Sequence, residues 1–354
     1  MGINPATYKL FINSYELHTE DVSLQKLSQG LINDTYIVYL NKYPTYLLQK
    51  INRTVFKEAD SIVGNQIKVV EVLKKYNSNY PNLIKTKSGN SFVIDVDDNY
   101  WRLSEFVPNS IAHNASKNHK MAFEAGQLLA EFHHALKEED PSEYQIPIEK
   151  FNDLSFRFEQ FDAAHSRAKK DRLEQSRELN VFIQTLKPLL LKHNLRLPTR
   201  VCHNDTKLNN LLFTKDTSKA ICLIDLDTVM PGYLFYDFGD LFRTAAFSAQ
   251  EGELELDTIK LNKAYTKALI NGFLGKLKLP EEDELKSLAL GAVYMPFIHG
   301  LRALTDFLSN DIYYKVNYPL ENLDRAQSLF RFAKEAYKNN AYINKCIKEF
   351  SNFA

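Results

Sequence analysis

The hydrophobic pattern of this chain changes near Pro108, and that change constrains the fold more than any other feature of the sequence. Before Pro108 the apolar residues form β-branched and aromatic runs bounded by polar turns, a pattern typical of strands. Between Phe56 and Tyr76 the apolar spacing is helical. The first hundred residues therefore predict a small antiparallel sheet with one inserted helix. The predicted strands are 35–40, 45–51, 91–96 and 101–107.

Beyond Pro108 the pattern is mainly helical. Apolar residues between Met121 and Leu136 line one face of a predicted helix, and residues 154–195 predict two more. A short β-like segment at 211–224 interrupts this pattern, and helices resume from about Leu256. The sequence therefore predicts an α+β fold with a small sheet followed by a larger helical part.

The predicted domain boundary is the same change of pattern. It gives an N-terminal domain of residues 1–107 and a C-terminal domain of residues 108–354. A chain of 354 residues is long enough for two such units.

Composition limits the function classes. The 44 basic residues balance 44 acidic ones, which argues against a general nucleic-acid binder. Cys202, Cys222 and Cys346 show no CxxC spacing, so neither a zinc site nor a disulfide framework is indicated. The start of the chain has no signal-peptide pattern, and the longest uncharged apolar stretch, 288–298, is shorter than the ~18 residues of a membrane span. We expect a cytoplasmic protein with no nucleic-acid or membrane partner.

The segment 201–227 holds the residues that most clearly indicate chemistry. A loop presents Asp205 and Asn210, and a β-hairpin then returns the chain to Asp225, where the second apolar strand ends. Magnesium prefers hard oxygen ligands from one or two carboxylates together with substrate phosphates. Phosphoryl transfer also needs a group that orients the acceptor hydroxyl and accepts its proton. These three residues therefore predict a phosphoryl-transfer site, with Asp205 serving the hydroxyl and the other two holding Mg²⁺.

His203-x-Asp205-x4-Asn210, followed by Ile224-Asp225, resembles the catalytic core of the aminoglycoside phosphotransferase and choline kinase superfamily, which is related to protein kinases. The resemblance implies a two-lobed kinase-like fold, with Asp205 as catalytic base and Asn210 and Asp225 as magnesium ligands. The literal Asp-Phe-Gly at 237–239 follows no apolar strand, so we expect it to be structural.

Longer strings resemble the N-acetylhexosamine kinases within that superfamily; they are 49–52, 101–103 with 109–110, 203–210, 224–232, 236–240 and 300–306. The resemblance implies ATP-dependent phosphorylation of the anomeric hydroxyl of an N-acetylhexosamine. Two alternatives stay open. One is a related kinase acting on an aminoglycoside, choline, homoserine or another sugar, and the other is a non-catalytic nucleotide-binding protein.

The N-terminal domain is expected to bind ATP. The segment 29–35 lies where a phosphate-covering loop belongs, which makes Gly30, Asn33 and Thr35 candidate contacts. Walker A and GxGxxG motifs are absent from the sequence. The nucleotide side of the third strand could hold Gln49 or Lys50, because neighbouring strand residues face opposite sides. Of the two, Lys50 is the candidate nucleotide contact. Glu105–Val107 is expected to be the hinge whose backbone pairs with adenine.

The candidate acceptor residues lie in the C-terminal domain. Arg302 resembles the substrate-contacting arginine of the family, Arg243 is a candidate for contact or for a structural ion pair, and Asn204 adjoins the predicted base. A helical pair of Arg302 with Asp306 is the alternative for Arg302, although a basic residue before an acidic one is the weaker orientation.

Overall fold

The computed structural model describes residues 3–17, 21–27, 32–56, 58–77, 79–192, 195–278 and 280–351. They form two compact units. The sheet unit comprises residues 1–110, 144–148 and 226–229, and the helical unit comprises residues 111–143, 149–225 and 230–354.

The sheet unit is built on a five-stranded antiparallel sheet with strand order β1-β2-β3-β5-β4. The predicted hairpin is present, since Leu40 pairs with Tyr43 and only Asn41 and Lys42 lie between the strands. Both turn residues have positive φ, the geometry of a type I′ turn, whose twist matches that of the strands. The strands are β1 (Val22–Lys26), β2 (Asp34–Leu40), β3 (Tyr43–Lys50), β4 (Val93–Ile94) and β5 (Tyr100–Glu105).

Two helices complete the sheet unit, α1 (Pro5–Ser14) and α2 (Ala59–Leu73). The second is the predicted inserted helix. The first was not predicted, although its start has a clear signal. The Asn4 side chain accepts a hydrogen bond from the Thr7 amide at 2.8 Å, and Pro5 occupies the first helical position.

The two faces of the sheet differ. One face packs against α1 through a buried apolar cluster of Phe11, Tyr15, Leu17, Tyr36, Val38, Leu48, Trp101 and Leu103. Because side chains alternate along a strand, Lys50 shares the face of Leu48, and Gln49 lies on the opposite face. That opposite face carries a buried polar network described below.

The helical unit contains α3 to α11. Residues 154–195 form three helices rather than the predicted two, because Ser176 separates a short helix from the next. Helix α7 was not predicted, although its apolar residues have helical spacing; nearly all of its residues, polar ones included, are buried. The helices are α3 (His119–Ala135), α4 (Leu154–Arg167), α5 (Lys170–Gln175), α6 (Arg177–Leu191), α7 (Leu234–Ala245), α8 (Lys263–Lys276), α9 (Glu282–Leu308), α10 (Glu321–Lys338) and α11 (Asn340–Phe350).

Helix α9, which contains the apolar stretch 288–298, is long and apolar enough to cross a bilayer by length and composition. However, 78% of its most apolar window is buried inside the protein. It also begins with a capping box in which Glu281 and Glu284 satisfy each other's backbone amides. These features are those of a core helix.

Short strands in the helical unit position the candidate site. Strands β8 (Leu211–Thr214) and β9 (Ala220–Leu223) form an antiparallel hairpin, as predicted for residues 211–224. Strand β7 (Arg200–Cys202) pairs with β10 (Met230–Gly232) just before the loop that carries Asp205. A further two-residue strand, β6 (Ser110–Ile111), lies where the chain passes from one unit to the other.

Helices α3 and α8 approach each other at two glycines. A Cβ placed on Gly272 would lie 2.1 Å from the Phe123 carbonyl oxygen, and one on Gly126 would lie 2.3 Å from that of Leu269. Both contacts are with backbone, which cannot rotate away. The glycines therefore set the distance between these helices.

We expect Gly272→Ala to destabilise the protein by about 1–3 kcal/mol, the usual cost of overpacking a core. Gly275→Ala is the matched control on the same helix, because a Cβ there would come no closer than 4.0 Å to any neighbouring atom. The control should be neutral or stabilising by up to ~1 kcal/mol, since alanine favours helix. Urea unfolding measures both, and equal effects would contradict the close packing.

Candidate active site

The β8–β9 hairpin brings Asn210 and Asp225 to the same end. Leu211 pairs with Leu223, so the residues just outside this pair stand side by side. The Ile224 amide donates to the Asn210 carbonyl oxygen at 2.8 Å, which continues the pairing by one step. Asp225 is exposed and has φ 61°, a left-handed conformation that is uncommon for a residue other than glycine and often found at functional sites.

Asp205 is held directly beside Asn210. The Asn210 side-chain amide donates to the Asp205 carbonyl oxygen at 2.8 Å and to its carboxylate Oδ2 at 2.9 Å. Among the described residues, the Asn210 amide oxygen Oδ1 makes no hydrogen bond in return. The structure therefore brings together Asp205, Asn210 and Asp225, the residues that the sequence predicted as a group.

Lys207 belongs to the same cluster and was missed by the sequence analysis. Its Nζ donates to Asp205 Oδ2 at 2.9 Å. Burial lowers the pKa of Lys207, but attraction to Asp205 and Asp225 outweighs it and raises the pKa above the ordinary lysine value. A cation two residues after the predicted base was the available signal in the sequence.

His203 has a structural place in the loop. Its Nε2 donates to the Ile224 carbonyl oxygen at 3.0 Å, while its Nδ1 accepts the Asp205 amide at 3.3 Å. These bonds fix the ring between the loop and the end of β9. His203 therefore ties the segment of Asp205 to the segment of Asp225.

Asp237, at the start of α7, braces the loop from the other side. Its carboxylate is fully buried and accepts the amides of His203 at 2.8 Å and Asn204 at 2.7 Å. His133 Nε2 lies 3.0 Å from the same carboxylate. This agrees with a structural role for the Asp-Phe-Gly at 237–239.

His133, Cys202 and Asp237 have ligand atoms within 4.8 Å of one another, which is close enough for a metal. Both oxygens of Asp237 already accept backbone amides. Burial also raises the pKa of the Cys202 thiol well above its usual value, which disfavours the thiolate that binds metals. The cluster is therefore a hydrogen-bonded brace.

Two of the predicted acceptor residues are engaged within the fold. The buried Asn204 side chain donates to the carbonyl oxygens of Cys202 and Met230, both at 3.2 Å. Arg243 is buried and bonds to Asp240 at 2.7 Å and to Glu251. Arg243 was predicted either to contact the acceptor or to form a structural ion pair, and the structure shows the ion pair.

The ion pairs of Arg243 belong to a larger buried network. Arg325 donates to Glu251 at 2.6 Å, and His299 Nε2 lies 3.1 Å from Asp240 Oδ1. Burial raises the pKa of Asp240, but Arg243 and His299 outweigh it and hold that pKa well below its usual range. Asp240 in turn contributes to the raised pKa of Lys207, so the network lies near the loop that carries Asp205.

Arg302 differs from Arg243. Its guanidinium lies over the Phe151 ring at 4.9 Å from the centroid. Asp306, the alternative partner, instead accepts the amides of Tyr313 at 2.8 Å and Tyr314 at 2.9 Å. The helical pair between Arg302 and Asp306 is therefore not formed.

The predicted nucleotide contacts lie in the sheet unit, except that Gly30 is outside the described residues. The Asn33 amide donates to Asp227 Oδ2 at 2.7 Å, and its oxygen accepts the Asn52 amide at 3.0 Å. Thr35, in β2, accepts the Gln49 side chain at 3.3 Å. These side chains are thus part of the internal hydrogen bonding of the sheet unit.

Arg102 lies at the centre of these hydrogen bonds in the sheet unit, and the sequence analysis did not predict a role for it. Its fully buried guanidinium donates to Gln49 at 2.9 Å and Gln66 at 2.9 Å, and pairs with Asp227 at 2.6 Å. Asp227 lies two residues after Asp225 in the chain. Lys50 faces the other side of the sheet, toward the cluster under α1.

At the predicted hinge, Glu105 and Val107 also have internal partners. Glu105 Oε2 accepts the Asn82 backbone amide at 2.8 Å and its side chain at 3.0 Å. The Val107 carbonyl oxygen accepts the Ser110 hydroxyl at 2.7 Å.

The small antiparallel sheet followed by a mainly helical part confirms the predicted α+β class. Together with Asp205, Asn210 and Asp225 at one end of a hairpin, this fold defines a kinase-like phosphotransferase. Residues 23–267 match the phosphotransferase enzyme family, APH, and the chain belongs to that family.

Solved structures share the fold over nearly the whole chain. An aminoglycoside phosphotransferase from Alicyclobacillus acidocaldarius has a TM-score of 0.67 at 14% identity, covering 99% of this chain and 98% of that one. A microcompartment-associated aminopropanol kinase has 0.65 at 15%, covering 96% and 99%. The amicoumacin kinase hAmiN, in complex with AMP-PNP, Ca²⁺ and Ami, has 0.60 at 14%, covering 94% and 92%. At these identities the likeness shows the fold alone.

Proposed function

We propose that this phosphotransferase moves the γ-phosphoryl group of ATP to the anomeric hydroxyl of an N-acetylhexosamine, giving the sugar 1-phosphate and ADP. The observation that carries the phosphoryl-transfer part is the convergence of Asp205, Lys207, Asn210 and Asp225 at one end of the β8–β9 hairpin. The sequence strings that resemble N-acetylhexosamine kinases support the acceptor. The complex of hAmiN with AMP-PNP and Ca²⁺ supports a nucleotide with a divalent cation.

Asp205 is the proposed base. One carboxylate oxygen, Oδ2, is bound by Lys207 and Asn210, so these bonds orient the carboxylate and leave Oδ1 to meet the acceptor. Oδ1 would accept the proton of the acceptor hydroxyl as its oxygen attacks the γ-phosphorus in line. Lys207, which bonds Asp205 and is attracted by Asp225, would stabilise negative charge on the transferring group.

Asn210 and Asp225 are the proposed ligands of Mg²⁺, and the donor set fits this ion. The Asn210 amide donates its N–H groups to Asp205, which turns the amide oxygen Oδ1 outward, and the Asp225 carboxylate is exposed. Both supply the hard oxygens that Mg²⁺ prefers. When bound, the ion would neutralise charge on the nucleotide phosphates.

We also propose that the sheet unit binds the nucleotide through the segment of Gly30, Asn33 and Thr35 and through the backbone of Glu105–Val107. Lys50 is left out of this proposal because its side chain shares the face covered by α1. Gln49 lies on the opposite face of the sheet, beside Arg102. Asp227, which follows Asp225 in the chain, contacts Arg102 on that same face.

An acceptor panel tests the function. Purified protein with ATP and Mg²⁺ would be assayed for ADP release with N-acetylglucosamine, N-acetylgalactosamine, other hexoses, choline, an aminopropanol and aminoglycosides. We expect N-acetylhexosamines to give the highest kcat/KM, with phosphate on the anomeric carbon. Phosphate on a different hydroxyl, or preference for another acceptor, would refute the sugar 1-kinase proposal.

Lys207→Met is expected to lower kcat by about 10²–10³-fold, the cost of losing one preorganised donor to a transition state. The KM for ATP should change less than kcat, because the ground-state nucleotide has other contacts. Lys215→Met, on the exposed turn of the hairpin, is the control. An unchanged kcat in Lys207→Met would remove Lys207 from the proposed machinery.

A further inference from the structure

The four residues that follow Asp225 are fixed within the sheet unit. Asp225 ends a stretch of the helical unit, and residues 226–229 belong to the sheet unit. These four buried residues form a tight turn, in which the Val229 amide donates to the Leu226 carbonyl oxygen at 3.2 Å. The Asn65 side chain donates to the Val229 carbonyl oxygen at 2.8 Å, which holds the end of the turn.

Asp227 anchors the middle of this turn. Its Oδ1 pairs with Arg102 at 2.6 Å, and its Oδ2 accepts the Asn33 side-chain amide at 2.7 Å. The Asp227 side chain is only 3% exposed. Arg102 is held in turn by the side chains of Gln49 and Gln66. Asp227 therefore fixes the turn to β5 and to the residue that precedes β2.

The backbone of Asp225 depends on its neighbours on both sides. Its φ of 61° lies in the left-handed region, which a residue other than glycine keeps only where the surrounding structure determines it. Before it, the Ile224 amide donates to Asn210, and the Ile224 carbonyl oxygen accepts His203 Nε2. After it comes the turn that Asp227 anchors. Asp225 therefore joins two anchored segments, and its conformation depends on both.

Stability alone is a weak reason for the ion pair of Arg102 with Asp227. Apolar residues of similar volume can often replace a buried ion pair without loss of stability. The position of this pair indicates another role, because Asp227 lies two residues after the proposed metal ligand Asp225. Groups that orient metal ligands typically contribute about 10–100-fold to metal affinity. The Asn33 bond also connects the same carboxylate to the segment that is proposed to bind the nucleotide.

We propose that Asp227 is a positioning residue, which holds Asp225 through the turn at 226–229 in the conformation that binds Mg²⁺. Asn33 links this conformation to nucleotide binding. The inference rests on the proposed role of Asp225 as a metal ligand. Both oxygens of Asp227 face Arg102 and Asn33, so Asp227 acts through the chain and not as a ligand. Nucleotide bound by the segment of Asn33 would thus strengthen cation binding through the protein as well as through the phosphates.

The double variant Arg102→Met with Asp227→Leu separates positioning from stability. It replaces the ion pair with apolar side chains, which should keep the unit folded, but it removes the anchor of the turn. Mn²⁺ binding would be measured by electron paramagnetic resonance with a saturating non-hydrolysable ATP analogue, and thermal unfolding would compare the stabilities. We expect Mn²⁺ binding at least ~10-fold weaker than in wild type, even where the unfolding temperature is close to that of wild type.

Asn33→Ala is the second variant, and it keeps the ion pair of Arg102 with Asp227. We expect about 3–10-fold weaker Mn²⁺ binding, the effect of losing one hydrogen bond. Saturation with the analogue ensures that weaker nucleotide binding is not the cause. Gly272→Ala is the control for lost stability, because it disturbs only the packing of α3 on α8. It should bind Mn²⁺ as wild type does.

The results for this inference and for the proposed metal site can be told apart by including Asp225→Asn. Weaker Mn²⁺ binding in Asp225→Asn, with wild-type binding in both the double variant and Asn33→Ala, would overturn the positioning role alone. Wild-type binding in Asp225→Asn would refute the metal site and the inference with it. If the double variant does not fold, Asn33→Ala decides the inference.

Weaker binding in the double variant with wild-type binding in Asn33→Ala would support the positioning of Asp225 and overturn its link to the nucleotide segment. Equally weak Mn²⁺ binding in Gly272→Ala would overturn the inference, because lost stability alone would then account for the effect.

Discussion

Asp205→Asn is expected to reduce kcat by about 10²–10⁴-fold, the range that general-base catalysis contributes. Asparagine keeps the size and the hydrogen-bonding oxygen of the side chain, so Lys207 and Asn210 retain a partner. It cannot accept the proton of the acceptor hydroxyl. The loss should therefore appear in kcat, with the dissociation constant of the nucleotide largely unchanged.

This variant needs both measurements. Steady-state ADP release gives kcat, and equilibrium titration with ATP analogues gives nucleotide affinity. Thermal unfolding of the variant checks that the loop has kept its fold. A kcat within threefold of wild type in a folded protein would end the assignment of Asp205 as base.

Arg102→Met is expected to lower the free energy of unfolding by about 3–5 kcal/mol, because removing one partner leaves a buried charge uncompensated. Asp227 would lose its ion pair with Arg102 and keep the hydrogen bond from the Asn33 side chain. Gln49 and Gln66 would each lose a donor as well. Urea unfolding followed by circular dichroism measures the change.

Two further variants test whether the unpaired buried charge causes the lower free energy of unfolding in Arg102→Met. Arg102→Met combined with Asp227→Leu should recover much of the stability, since a buried ion pair replaced by apolar residues is often neutral. Lys87→Met, at an exposed position of the same unit, should stay within about 0.5 kcal/mol of wild type, as surface substitutions do. If the double variant were no more stable than Arg102→Met, the unpaired charge would not be the cause.

The β8–β9 hairpin could be predicted because the residues that indicate it are close together in the sequence. Asn210 and Asp225 flank two short apolar strands, and pairing such strands necessarily brings their outer neighbours together. The sheet and α2 were also predictable from alternation and helical spacing. Helix α1 was missed because only its capping residues, not its apolar spacing, distinguish it.

Residues whose partners are distant in sequence could not be assigned in the same way. Arg102 meets Asp227 across 125 positions of the chain, and Arg243 is paired by Glu251 and Asp240 through the fold of α7 and the loop after it. Nothing local distinguishes such an arginine from Arg302, which lies over the Phe151 ring and forms no ion pair within the part of the chain that the structure describes. The difference depends on tertiary packing.

The proposed phosphoryl transfer requires Asn210 and Asp225 to hold a divalent cation beside Asp205, and binding of such a cation can be measured directly. Mn²⁺ binding with a non-hydrolysable ATP analogue would be followed by electron paramagnetic resonance in wild type, Asp225→Asn and Asp216→Asn. Asp216, which bonds Thr214 and Ser218 in the turn at the far end of the same hairpin, is the control. We predict at least ~10-fold weaker Mn²⁺ binding in Asp225→Asn and wild-type binding in Asp216→Asn. Equal affinity in all three proteins would contradict the account.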